Sequence, residues 1–195
     1  MRKVGFLFWF GSALVFGGAA ILAIHWRNLL ESISAQGKAR EWLNATVVTP
    51  APAPPTPPAV RPTVRRGEVL GELKIPRLNL SVMVFEGADS AILKIGAGHI
   101  PGTALRAGNG NIGIAAHRDT YFRPLRDIHK GDVIMLRTPS GASQFAVTET
   151  EIVQPSDVTV LAKAPGRDLT LVTCYPFSYV GHAPQRFIVH AKKTA

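Results

Sequence analysis

The sequence predicts an all-β domain of barrel or sandwich type, carried behind an N-terminal transmembrane helix. Three observations predict it. The chain opens with an uncharged apolar run of 21 residues. A proline-dense stretch follows. From residue 67 onward, about seven or eight short strand patterns are separated by Gly/Pro turns, with little helix between them. A length of 195 residues suits one domain plus appendages. Hydrophobic residues at 46% against 18% charged exclude an intrinsically disordered chain.

Charge and cysteine usage narrow the function classes. A formal net charge of +9 would by itself suggest a nucleic-acid or anionic-membrane partner. Residues 1–66 carry +6 of it and residues 67–195 only +3. The excess lies mostly outside the folded domain, so no nucleic-acid partner is expected. One cysteine rules out an internal disulfide framework and any multi-cysteine zinc or iron–sulfur centre. The six histidines form no His-Glu-x-x-His pattern. No cofactor or metal is expected, the nearest thing to an acidic cluster being Glu149 and Glu151 on either side of Thr150.

Val4 to Ile24 is the uncharged run. At ~1.5 Å per residue, a helix of that length spans the ~30 Å hydrocarbon core. It exceeds the ~7–15 residues of a signal-peptide core, and no small-x-small cleavage site follows. Residues 1–26 therefore read as an uncleaved signal anchor, with Trp26 at its interfacial end. Basic residues flank both ends, so the positive-inside rule does not fix orientation. A short N-terminal tail before a long exported domain places the C-terminal domain outside the cytoplasmic membrane. Residues 27–66 form a stalk and linker: a loosely amphipathic helical continuation to residue 46, then seven prolines within residues 50–62. Proline favours extended polyproline II, which at ~3.1 Å per residue makes this stretch a spacer of ~40 Å.

Residues 67–195 form the folded domain. Val69–Ile75 and Leu78–Phe85 are strand patterns. Asp89–Ile95 reads as one or two helical turns, capped by Asp89 and stopped by Gly96. A Gly/Pro loop leads to the apolar segment Ile112–Ala116. Asp132–Thr138 and Gln144–Val153 pair as a hairpin around Pro139-Ser140-Gly141. Pro155–Ala164 connects to the last two strands, Asp168–Cys174 and Arg186–Lys192.

Three strand ends carry chemistry. Cys174 closes an apolar strand just before Tyr175-Pro176, where a loop begins and a thiol is accessible. A buried, inert cysteine is the alternative. His117 follows Ala115-Ala116 at another strand end, and an imidazolium there would stabilise a thiolate or protonate a leaving group. Arg186 opens the strand after Cys174, and its fixed fork of donors suits a developing oxyanion. Around them, Thr173 is a candidate donor to an intermediate or a plain strand residue. Tyr175, Phe177 and Tyr179 are candidates to line an apolar groove or to pack. Asp119 reads first as a turn cap, His182 as a rim residue, and His99 with Gly98 as loop structure.

Here the sequence resembles a family. Thr170-Leu171-Val172-Thr173-Cys174 matches the Thr-Leu-x-Thr-Cys signature of sortases, the membrane-anchored cysteine transpeptidases. Arg186, twelve positions on, matches the sortase arginine, and His117 the sortase histidine. The strings HRDTYFRPL and TCYPF look most like the class D type, and Gly98-His99-Ile100-Pro101-Gly102-Thr103 resembles the loop before the histidine strand. The resemblance covers about residues 68–195. One departure is Ala116, where a glycine commonly precedes the histidine.

The resemblance implies a closed eight-stranded β-barrel with a groove at one end. It implies Cys174 as nucleophile on the Thr–x bond of a Leu-Pro-x-Thr-x-like sorting signal, through an acyl-enzyme thioester. His117 would be the general acid/base and Arg186 the oxyanion or substrate clamp, with Thr173 and Tyr175 binding substrate. The implied partners are a protein bearing a C-terminal sorting signal and an amine acceptor, a cell-wall precursor among the candidates. Two alternatives stand beside it. One is a hydrolytic cysteine peptidase with the same site. The other is a non-catalytic membrane-tethered β-domain, in which Cys174 is inert.

Overall fold

The computed structural model describes residues 2–46, 64–179 and 181–194, with side chains from residue 16 onward. Helix α1 (Arg2–Thr46) precedes eight strands and one short helix. These are β1 (Val69–Ile75), β2 (Leu80–Glu86), α2 (Ser90–Ile95), β3 (Ala97–His99), β4 (Ile112–Ala115), β5 (Val133–Thr138), β6 (Gly141–Val153), β7 (Leu169–Tyr175) and β8 (Gln185–Lys193). The strands close into a barrel in the order β1-β2-β3-β4-β7-β8-β6-β5. Pairs β2–β3 and β4–β7 are parallel and the others antiparallel. The expected closed eight-stranded barrel is therefore observed.

Alternation along the strands fills the barrel. Leu73, Ile75, Val82, Val84, Ile112, Ile114, Leu169, Leu171, Val189 and Ala191 point inward as one core. Strand β2 is covered on both faces. Its outward Met83 and Phe85 form a second cluster with Ile92 of α2 and Ala39 and Leu43 of α1. That double burial explains why its sequence alternates only in part.

Local chemistry sets the ends of these elements. Pro76 and left-handed Asn79 (φ 48°) make a 3₁₀ turn of Pro76–Leu78, so β2 begins at Leu80, two residues later than the sequence pattern suggests. Asp89 caps α2 by accepting from the backbone N–H groups of Ala91 (3.0 Å) and Ile92 (3.4 Å). The sequence pattern misses β3, a three-residue strand inside the Gly-rich loop, because its pairing partners are remote in sequence. Gly98 is required there by space: a Cβ would strike the Gly87 carbonyl.

Helix α1 is more than a lead-in. Its second half docks against β1, β2 and α2 through polar ties as well as Ala39 and Leu43. Gln36 accepts from Met83 N–H (2.8 Å), Arg40 reaches Glu72 (2.9 Å), and Glu31 meets Lys94 (2.9 Å). Among the described residues, no helix is long and apolar enough to cross a membrane. The side chains of residues 1–15, and with them much of the apolar run behind the anchor expectation, lie outside the description. So does the proline-rich stretch of residues 50–62.

Below β5, the buried Asp132 carboxylate is gripped by both Nε and Nη2 of Arg77 and accepts from His129 N–H (2.8 Å). The Arg77 hydrogen bonds hold the Asp132 carboxyl below its ordinary range, against burial, which would raise it. A depressed folded value adds stability above the unfolded carboxylate range near about pH 4, and that stability is lost as pH falls through the folded value. Asp132→Asn is therefore expected to lower Tm at neutral pH. Thermal melts across pH should show its gap from wild type shrinking below about pH 4.

Candidate active site

Register brings the three expected residues into one row. In the antiparallel pair β7–β8, Cys174 is the Cα partner of Arg186. Directly opposite residues share a face, with Cβ atoms roughly 4.5–5.5 Å apart. In the parallel pair β4–β7, Ala115 is level with Val172. Continuing that register past the last pair, held by the hydrogen bond from Ala116 N–H to Val172 O (3.2 Å), sets His117 level with Cys174. Alternation fixes the face. Leu169 and Leu171 point into the barrel, as do Ile112, Ile114 and Ala116, and so do Val189 and Ala191. Cys174 and Arg186 therefore stand on the outer face of β7 and β8, and His117, two residues past the end of β4, continues that face on the other side of the thiol.

All three are half-buried, and Cys174 is a free thiol. Arg186 Nη1 donates to the carbonyls of Gln185 (3.0 Å) and Ala183 (3.3 Å), which anchors one arm of the fork. Among the described residues its Nε and Nη2 have no hydrogen-bond partner, so the other arm is available to an anionic oxygen. No carboxylate among the described residues hydrogen-bonds His117, and Asp119 is exposed. The arrangement can combine a thiolate nucleophile, a proton carrier on one side and an oxyanion fork on the other.

The structure places Thr173 and Tyr175 apart from that row. Thr173 faces inward, 2% exposed, and its hydroxyl donates to the Ala116 carbonyl (2.8 Å). That bond ties β7 to the residue preceding His117, so Thr173 aligns the two strands and its single hydrogen is already committed. The Tyr175 ring lies in an aromatic group at the barrel end, stacked 25° from Phe187 and edge-on to Phe177. His182 is exposed in the loop between β7 and β8. His99, expected as loop structure, is instead the last residue of β3, buried between Glu86 (2.8 Å) and Thr103 (2.9 Å).

Arg118 lies within the string HRDTYFRPL, where the sequence alone assigns it no role. It follows His117, is 9% exposed, and donates from Nη2 to the carbonyls of Tyr179 and Gly181 (3.1 Å). Its guanidinium also sits 5.8 Å from the Tyr179 ring centroid. One cation thus holds the loop joining the Cys174 strand to the Arg186 strand against the residue beside His117. Arg118→Met keeps the length and removes every donor. It is expected to speed proteolytic cleavage within 176–184 and to lower turnover about tenfold, the effect of losing charge-assisted hydrogen bonds. Arg118→Lys should recover only part, because an ammonium lacks the planar fork.

A closed barrel with a thiol between an imidazole and a guanidinium on one outer face defines a class of cysteine-centred site. The comparisons give that class its family. Residues 73–194 match the sortase domain model, and the chain belongs to the sortase family. It is 37% identical over 128 residues to sortase D of Bacillus subtilis, covering 65% of each chain, in keeping with the class D expectation. The chain thus spans less than two thirds of that relative's length. Among solved structures, a Clostridium perfringens sortase D5 transpeptidase superposes with a TM-score of 0.68 at 24% identity, over 83% of this chain and 99% of that one. A Clostridium perfringens sortase C solved with the C-terminal cell wall sorting motif matches with a TM-score of 0.62 at 26% identity, over 85% and 88% of the two chains.

Proposed function

We propose that this chain is a membrane-anchored cysteine transpeptidase acting on proteins that end in a Leu-Pro-x-Thr-x-like sorting signal. The observation that carries the reading is the single row of His117, Cys174 and Arg186 across β4, β7 and β8. Cys174 Sγ, its proton passed to His117, attacks the carbonyl carbon of the Thr–x bond. The tetrahedral oxyanion is met by the free arm of Arg186. His117 protonates the departing amine as the C–N bond breaks, leaving a thioester on Cys174. An amine acceptor then attacks the thioester carbonyl, His117 takes its proton, and the C–S bond breaks as the new amide forms. Atoms and protons balance without a cofactor.

The sequence supports the remainder of the proposal. Residues 1–26 anchor the chain, residues 27–66 lead out of the membrane, and residues 67–195 act on its extracytoplasmic side. The acceptor is an amine, with cell-wall precursors the first class to try. The likeness to a sortase C solved with a sorting motif supports a peptide of that type as substrate.

The test uses the full chain in detergent micelles. It would be incubated with a Leu-Pro-x-Thr-x peptide library, and its intact mass measured with and without hydroxylamine. A mass gain that hydroxylamine releases as hydroxamate, and that Cys174→Ala lacks, is the expected result. Adding an amine such as triglycine should convert the adduct to a new amide. Adduct loss to water alone would replace transfer by hydrolysis. A Cys174 inert even to a small alkylating reagent would favour the non-catalytic membrane-tethered β-domain.

A further inference from the structure

The outer face of β4, β7 and β8 carries a second polar row, four residues below the first. Thr170 stands opposite His190 there, both 0% exposed, and Asn111 (3% exposed) lies just ahead of β4. Asn111 Nδ2 donates to Thr170 Oγ1 (2.8 Å) and to the Leu161 carbonyl (3.1 Å). Thr170 Oγ1 is 3.0 Å from His190 Nδ1, and His190 Nε2 is 2.8 Å from Glu151 Oε1. Arg167 closes the chain on Glu149 (3.2 Å) and Glu151 (3.5 Å).

Each side chain of the ladder finds a partner within it. Asn111 gives two hydrogens, and Thr170 accepts one of them. Thr170 Oγ1 also lies 3.0 Å from Asn111 Oδ1, which can accept its hydrogen, and the His190 ring bridges Thr170 to Glu151 through its two nitrogens. Three strands, β6, β7 and β8, and Asn111 just ahead of β4 are thereby joined to the 3₁₀ turn of Thr159–Leu161, which belongs to the connection between β6 and β7. Burial removes Thr170 from any nucleophilic role despite its contact with a histidine.

A Cβ on Gly113 would come within 3.1 Å of Leu161 Cδ2, so Leu161 rests directly on the outer face of β4. Gly113 is four residues before His117 and on the same face. Between Leu161 and the upper row lie Ala115 and Val172, both half-buried, with Ile188 opposite Val172 on β8 at 1% exposure. They make an apolar floor of roughly 13 Å along the strands, by ~3.3 Å per residue, ending at Cys174.

We infer that Asn111, Thr170 and His190 are positioning residues that fix the connection of residues 154–168 as a wall beside this floor. They thereby set the affinity for an extended apolar peptide laid along it toward Cys174. The inference rests on the transpeptidase reading for its substrate, while the clamping itself can be measured without turnover.

The test compares wild type, Thr170→Val and Thr170→Ser as full chains in micelles. Valine keeps the shape of threonine and removes the hydroxyl, leaving His190 Nδ1 and one Asn111 hydrogen unpartnered. Amide hydrogen exchange over residues 154–164 is expected to speed about tenfold in Thr170→Val. KM for the acylating peptide should rise about tenfold, with kcat within about threefold of wild type, the signature of lost binding rather than lost chemistry. Alkylation of Cys174 by iodoacetamide should not change, and Thr170→Ser should restore exchange and KM together.

Loosening without a change in KM would overturn the inference, as would a raised KM with unchanged exchange. So would a fall in alkylation parallel to the loss of peptide transfer. Should Thr170→Val not fold, Asn111→Ala releases the Leu161 carbonyl while leaving strand pairing intact. A wild type that accepts no peptide would sink the transpeptidase reading, and the exchange measurement would still decide the clamp.

Discussion

Cys174→Ala is expected to abolish peptide transfer, by ~10⁴-fold or more, as removal of a covalent nucleophile does elsewhere. Fold and stability should be nearly unchanged. The residue is half-buried at the end of β7, where its backbone pairs with Arg186, and alanine keeps that pairing. One sulfur is lost at a groove, with no core cavity. Intact-mass spectrometry should find no hydroxylamine-sensitive adduct on the variant, while its thermal melt overlays wild type. Undiminished turnover would sink the mechanism, and a large drop in Tm would show that the thiol was a packing element.

Arg186→Lys should be the second large effect, ~10²–10³-fold in kcat with a smaller change in KM. The charge is retained, so bulk electrostatics cannot supply the loss. What disappears is the fork: Nη1 is fixed by the carbonyls of Ala183 and Gln185, which aims the remaining donors. An ammonium has no second arm to aim. Steady-state kinetics on Arg186→Lys, with iodoacetamide alkylation as a control for thiol access, checks this. Wild-type kcat in the lysine variant would leave Arg186 as a source of charge only.

The chemistry of the site was legible because its residues sit at strand ends, where an apolar pattern stops and a polar side chain begins. Cys174, His117 and Arg186 each have that local signature. Their mutual position does not follow from it. It depends on β4 lying parallel to β7 and on a β7–β8 register that sets residue 174 against 186. Thr173 shows the limit of local reading. Beside Cys174 in sequence, it faces the other side of the sheet and bonds to Ala116. Arg118, Asn111 and His190 carry only weak sequence signals, because a buried polar residue looks like a surface one until its partners are known. Two cues were present: Arg118 adjoins His117, and His190 falls on the outward parity of a strand that carries Arg186.

By itself, the sequence determined the elements that depend on short-range chemistry. The apolar run, the strand periodicity, the Asp89 cap and the hairpin at Pro139-Ser140 all arise from interactions within a few residues. Tertiary structure alone decided what depends on closure. It made β3 a strand, because two remote neighbours supply its hydrogen bonds. It turned the second half of α1 into a cover for Met83 and Phe85. It also set three strand ends abreast, because only a closed barrel with a definite register gives side chains from positions 117, 174 and 186 one common face.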